Sequence, residues 1–321
     1  MKEKCESMTR GTLALALAAA FLNGNASAQV KGHPDFQGIW NSATATPLER
    51  PAKYKDKAFF TKEEAAELEH QAVARREDPA PEVAKKTFAS YNAVFYETGT
   101  TLLKSLRTSI ITDPSDGRIP ALTPTAAAEK ARRAELLKRA QIPSELGLQD
   151  RCIVFVSATP PMIPYIYNSN YQIIQTAHEV MINVEMIHDT RIIRMDRKTH
   201  LPASVQLWLG DSIGRWEGNT LVVDTTNFKD GGGYFGDAGG MFGSDHNLHV
   251  VERFRLADGN TLEYKFEVDD PTAFTRPWKG ELAMERSDGP IYEYACHEGN
   301  YALPNLLNGF RAAEHAETSP K

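Results

Sequence analysis

Residues 292–301, YEYACHEGNY, place Cys296, His297 and Glu298 side by side. A thiol nucleophile beside a base would be built from those residue types. A second stretch, HEVMINVEMIHDTRIIR from His178, sets Asn183 and Glu185 among the apolar residues of Val180 to Ile187. On a continuous strand these two share one face, because neighbouring side chains alternate between faces. Facing a barrel interior, they would be a polar foothold in an apolar cavity, with Glu185 prepared by desolvation as a general acid or base. Facing outward, they would only be solvated. On a continuous strand His178 and His188 sit at opposite ends, too far apart to share a metal, though each stays eligible as a proton carrier.

Further ionisable groups follow. GNTLVVDTTNF places Asp224 on the face opposite Leu221, Val223 and Thr225, and SDHNLHVVERFR adds His246, His249, Glu252 and Arg253. Asp224, His246 and His249 could meet at one rim. The two histidines are three apart, but no third ligand follows at a diagnostic spacing, so no metal and no cofactor are expected. GDSIG matches Gly-x-Ser-x-Gly around Ser212, yet a hairpin pattern follows instead of the helix a nucleophile elbow needs, which reads Ser212 as a turn residue. Glu263, Glu267, Asp269 and Asp270 raise a sugar-hydrolase alternative, since paired carboxylates across a cleft cleave glycosides. Trp216 and Tyr234 belong to an aromatic surplus beside the glycine-rich run YFGDAGGMFG, which reads as a lid and suits an aromatic, terpenoid or sugar ligand.

The elements that must position these groups are mostly strands. From about Cys152 to Tyr294 short alternating runs are separated by Gly218-Asn219, Asp258-Gly259 and Asp288-Gly289, which predicts an antiparallel β-barrel or sandwich. Before it, Thr61 followed by Glu64 is a capping box opening one helix, and Thr123-Pro124 opens another with Leu136 and Leu137 facing in. DFQGIW reads as one short strand, and LPNLLNGFRAAEHAE as a closing helix. The organisation expected is a leader over 1–28, an N-terminal segment with helices and first strands over 29–150, the barrel over 151–302, and a C-terminal helix and tail over 303–321.

The leader expectation rests on a charged start, the apolar run LALALAAAFL and ASA at Ala26–Ala28, the three parts of a secretory signal. Cutting after Ala28 makes a net charge of −6 one unit more negative, which argues against nucleic acid. No later stretch reaches the roughly 20 apolar residues of a membrane helix. Cys5 leaves with the leader. The remaining Cys152 and Cys296 are expected to form a disulfide in an oxidising, periplasmic or secreted setting, contributing at most about 5 kcal/mol for so long a loop. A paired Cys296 is no nucleophile.

Two resemblances add to this reading. DFQGIW resembles the Gly-x-Trp signature on the first strand of lipocalins, where the tryptophan closes the barrel floor and a late-strand arginine packs over it. The resemblance implies Arg253 as that arginine, with Arg255 an equally open choice. The runs RTSIITDPSDGRIPALT, LGDSIGRWEGNTLVVDTTNF, HVVERF, VDDPTAFTRPW and YEYACHEGNY resemble a family of uncharacterised exported bacterial proteins, from which no reaction carries over. The combined expectation is a mainly β, lipocalin-like antiparallel barrel with an N-terminal helical annex. In it, Glu185, Asp224, His246 and His249 would perform cofactor-free lyase or isomerase chemistry on a small, largely apolar ligand, with Asn183, Arg253, Tyr234 and Trp216 binding it. The alternatives are a non-catalytic periplasmic carrier using the same cavity, and a hydrolase of sugars or esters.

Overall fold

The structure is a computed structural model that describes residues 32–77, 99–165, 167–229 and 246–318. The leader expectation and the glycine-rich run with Tyr234 lie outside the described residues.

Among the described residues ten strands form one sheet: β1 (Gly38–Asn41), β2 (Ile111–Asp113), β3 (Asn170–Gln175), β4 (Glu179–Val184), β5 (Thr190–Arg194), β6 (Asp211–Glu217), β7 (Thr220–Thr226), β8 (His249–Leu256), β9 (Thr261–Asp269) and β10 (Trp278–Ser287). Their order is β1-β3-β4-β5-β6-β7-β8-β9-β10-β2, and β1 also pairs with β10, so nine strands close into a barrel with β2 added outside the ring. Closure removes the exposed edges an open sheet would leave. Every pairing is antiparallel except β5 with β6, which is parallel. A parallel neighbour needs a crossover, and residues 195–210 supply it. The mainly β barrel is therefore as expected, with one parallel pair in an otherwise antiparallel ring.

The alternation read from the sequence sets which side chains point inward. Val180, Ile182 and Val184 of β4 are buried, as are Val250, Glu252 and Phe254 of β8 and Leu262, Tyr264, Phe266 and Val268 of β9. Asn183 falls on the half-exposed outer face of β4, where its Oδ1 accepts from Thr190 Oγ1 at 3.0 Å. The strand ends at Val184, so Asn183 and Glu185 do not share a face and form no foothold inside the barrel. Ser212 lies within β6, not in a turn. It is buried, with its Oγ 2.9 Å from Thr225 Oγ1.

Trp40 fills the closure between β1 and β10. It is fully buried, its Nε1 donates to Phe36 O at 2.8 Å, and the Arg286 guanidinium lies 4.3 Å from its ring centroid. The arginine over the tryptophan is thus Arg286 on the last strand, not Arg253 or Arg255. Those two point outward, Arg253 pairing with Glu217 at 2.8 Å and Arg255 with Glu263 at 2.6 Å. Gly38 is required beside this stack: its φ is +131°, and a Cβ there would collide with the Arg286 side chain.

Among the described residues of 152–169 there is no strand, although the β-rich reading began at about Cys152. The segment instead reaches into the barrel. Val154 to Thr159 are all buried, as are Met162 and Ile163. Two interior phenols hold its backbone: Tyr264 Oη accepts from Met162 N at 2.9 Å, and Tyr171 Oη donates to Ser157 O at 3.0 Å. The barrel interior is consequently packed with protein.

The helices lie around this barrel. In α1 (Lys62–Glu77) the expected capping box is present, with Thr61 N donating to Glu64 Oε2 at 2.8 Å and Glu64 N to Thr61 Oγ1 at 3.2 Å. In α2 (Pro124–Leu137) Thr123 Oγ1 accepts from Ala126 N, but only Ala126 is buried and Leu137 is 41% exposed, so that leucine does not face in. α3 (Ala302–Thr318) seats Leu307 against Ala140 and Leu146. YEYACHEGNY is irregular and lies beyond the end of β10.

Candidate functional site

Three polar constellations among the described residues bear on function, in three different settings. The first is inside the barrel. Arg191 Nη1 donates to Glu252 Oε1 at 3.1 Å, and Nη2 lies 2.9 Å from Oε2, close enough for an ion pair though not aligned as a hydrogen bond. Tyr264 Oη donates to Glu252 Oε1 at 2.8 Å. Both charged side chains are essentially inaccessible, and burial holds the Tyr171 and Tyr264 phenols well above their ordinary range. These groups hold one another and the inserted segment. Buried ion pairs of this kind are costly to break, which makes the cluster a scaffold.

The second constellation is a row on the outer face, linking Asp211, His200, Asp224 and His249. His200 Nδ1 is 2.9 Å from Asp211 Oδ2, while its Nε2 is 3.0 Å from Asp224 Oδ1. His249 Nε2 is also 3.0 Å from Asp224 Oδ1. The hydrogen bond between them raises the His249 pKa and lowers that of Asp224, burial opposing the shift in both. His200 lies on the crossover between β5 and β6. Leu201 N donates to Asp211 Oδ2, and Asn227 Nδ2 to Leu201 O, Pro202 O and Val205 O. The row therefore pins the crossover that the parallel pair requires. Among the described residues, no three such side chains are arranged to hold a metal ion.

The third is a cavity of about 550 Å3 where the start of the inserted segment meets the C-terminal segment. Phe155, Tyr165, Tyr167 and Tyr294 supply its rings, with Gln149, Asp150, Glu293 and Asn300 as polar groups. Phe155 and Tyr165 meet edge to face at 5.0 Å, and Tyr165 and Tyr167 at 5.4 Å. The disulfide between Cys152 and Cys296, with Cα atoms 5.8 Å apart, joins the two walls across 144 residues of sequence. Asn300 Nδ2 reaches Cys152 Sγ at 3.3 Å. Burial raises the Asp150 pKa, a backbone hydrogen bond at Gly147 opposing it. The volume falls within the range typical of small-molecule sites.

Of the residues singled out in the sequence, the structure brings Asp224 and His249 together, but on the outer face. Glu185 is buried and used elsewhere: its Oε2 accepts from Asn170 Nδ2 at 2.7 Å and its Oε1 from Tyr292 N at 3.1 Å, tying the turn after β4 to the C-terminal segment. His246 is exposed just before β8. Trp216 stacks on His33, with ring centroids 4.5 Å apart, and leans on Phe36. His200 and Asp150 carried no sequence signal of their own. Asp150 could have been found from the disulfide, because pairing Cys152 with Cys296 necessarily brings GLQD against YEYA.

Comparison with known proteins adds little. No protein-family model matches the chain, and no curated protein does. A crystal structure of a secretary abundant heat soluble (SAHS) protein from Ramazzottius varieornatus is similar to 37% of this chain and 70% of its own, at 10% identity and a TM-score of 0.24. A likeness that slight carries no argument about this chain. The barrel rests on the strand pairing itself.

Proposed function

We propose that this chain is an exported small-molecule-binding protein whose ligand site is the cavity beside the disulfide. The observation that carries the reading is that cavity: about 550 Å3, walled by four aromatic residues and two carboxylates, and clamped by the cystine. Rigid rings supply area for a ligand, and the few polar groups orient it. The disulfide fits an oxidising compartment, and no helix among the described residues is long and apolar enough to cross a membrane. A barrel-centre site lacks such support, since the inserted segment and the Arg191–Glu252 pair occupy that space.

A second reading, cofactor-free acid–base catalysis of the lyase or isomerase type, is favoured by one observation. Asp150, within the cavity, has its pKa raised by burial, the direction that prepares a carboxyl as a general acid. The test of both readings is a fluorine-NMR screen of aromatic fragments against the protein and against Ala295→Trp, which fills the cavity. Fragments that bind the natural chain and are lost from the variant support the site. Fragments that bind both equally place it elsewhere. Turnover of a bound fragment that disappears in Asp150→Asn selects the enzyme, and unchanged fragments select the carrier.

A further inference from the structure

The chemistry of the cavity is one-sided. Asp150 and Glu293 line it, and no lysine, arginine or histidine is among its lining residues within the described part of the chain. Three tyrosines and a phenylalanine also line it, with Gln149 and Asn300 as neutral polar groups. An anionic ligand would face two carboxylates with no counter-charge. A neutral ligand would cover the same carboxylates and leave their desolvation unanswered. A cation answers both, because the carboxylates attract it and the negative faces of aromatic rings attract it further. Burial already holds the Asp150 carboxyl above the usual carboxylate range, a cost that an adjacent cation would offset.

We infer that the ligand of this cavity is a small organic cation, an amine or a quaternary ammonium, held between the Asp150 and Glu293 carboxylates and the rings of Tyr165, Tyr167 and Tyr294. This inference rests on the cavity being the ligand site and adds the charge of what enters it. The tyrosines meeting edge to face turn two ring planes toward different directions, as an aromatic enclosure for an ammonium group does.

The experiment is calorimetric titration with choline and with its neutral isostere 3,3-dimethylbutanol, which differ in charge at nearly constant shape. Choline is expected to bind at least about tenfold more tightly, in line with a desolvated cation over aromatic rings. Asp150→Asn and Glu293→Gln should each weaken choline about fivefold, as loss of one partly exposed charge partner does, and leave 3,3-dimethylbutanol unchanged. Glu293 is exposed, so its variant tests the charge without disturbing the fold. Equal affinity for the two probes, or choline binding unaffected by both substitutions, overturns the cation inference while leaving the cavity as the site. If aromatic fragments bind in the cavity but choline does not, the cation inference alone falls. If neither probe nor any fragment binds, the site itself falls with it.

Discussion

The barrel interior and the cavity beside the disulfide are built from similar residue types and do opposite things. Inside the barrel, Arg191, Glu252, Tyr264 and Tyr171 direct their polar atoms at one another and at the inserted backbone. In the cavity, Asp150, Glu293 and three tyrosines border about 550 Å3 of open space. The difference lies in what the polar groups face. Groups that satisfy one another hold a structure together, and groups that border a void are available to a ligand. The outer row of Asp211, His200, Asp224 and His249 sides with the interior, since it fastens the crossover.

The largest effect expected is on the interior. Glu252→Gln strips Arg191 of its counter-charge in a dry setting and should destabilise the protein by about 3–5 kcal/mol. Urea unfolding measures it, and the double change Arg191→Met with Glu252→Leu should recover most of the loss. A single variant within about 1 kcal/mol of the natural chain would remove the pair from the scaffold.

Next is the clamp. Replacing Cys152 and Cys296 by serine should lower stability by about 2–4 kcal/mol, and it should also weaken fragment binding, because the two cavity walls are then no longer joined. Unchanged binding would show that the cystine serves stability alone.

A smaller effect is expected at the rings. Tyr165→Leu should weaken an aromatic fragment by about tenfold, as the loss of one ring contact does, with little change in unfolding. The reverse pattern, a large stability loss with unchanged affinity, would move Tyr165 to the scaffold side of the comparison.

The smallest concerns the outer row. The raised pKa of His249 means its bond to Asp224 stabilises fully below the histidine's unfolded value and is lost as pH rises through the folded one. The lowered pKa of Asp224 means its share is present above the carboxylate's unfolded value and is lost as pH falls through the folded one. His249→Ala should therefore destabilise most in the window between those limits. The side chain is 40% exposed, so the effect should stay below about 1 kcal/mol and shrink with salt. A thermal-shift difference that grows above the folded His249 pKa would reverse the assignment, because Asp269 and Glu267 also raise that pKa and their contributions fade over the same range.

How much of this was legible follows from where each signal is local. The barrel was readable because β8, and β9 from Leu262 onward, alternate buried and outward residues, and the starts of α1 and α2 were readable from Thr61 and Thr123, whose caps need only the next three residues. The disulfide followed from compartment and parity. The Trp40 signature correctly asked for an arginine, but choosing Arg286 over Arg253 required the pairing of β1 with β10. The inserted segment was illegible because VFVSATPPMI, with two prolines and no alternation, carries no pattern that says it runs into a barrel. Glu185 misled for a related reason: HEVMINVEMIH alternates past Val184, while the chain turns there and Ile187 adopts a φ of 62°. His200 was invisible because it acts only through a crossover that no short pattern announces.

The central claim is that a ligand enters the cavity beside the disulfide and not the barrel. A crystal structure of the protein soaked with aromatic fragments tests it most directly. Density is expected among Phe155, Tyr165, Tyr167 and Tyr294 and within reach of Asp150. Density inside the barrel against Arg191 and Glu252, with the segment around Met162 displaced and the cavity empty, would contradict it.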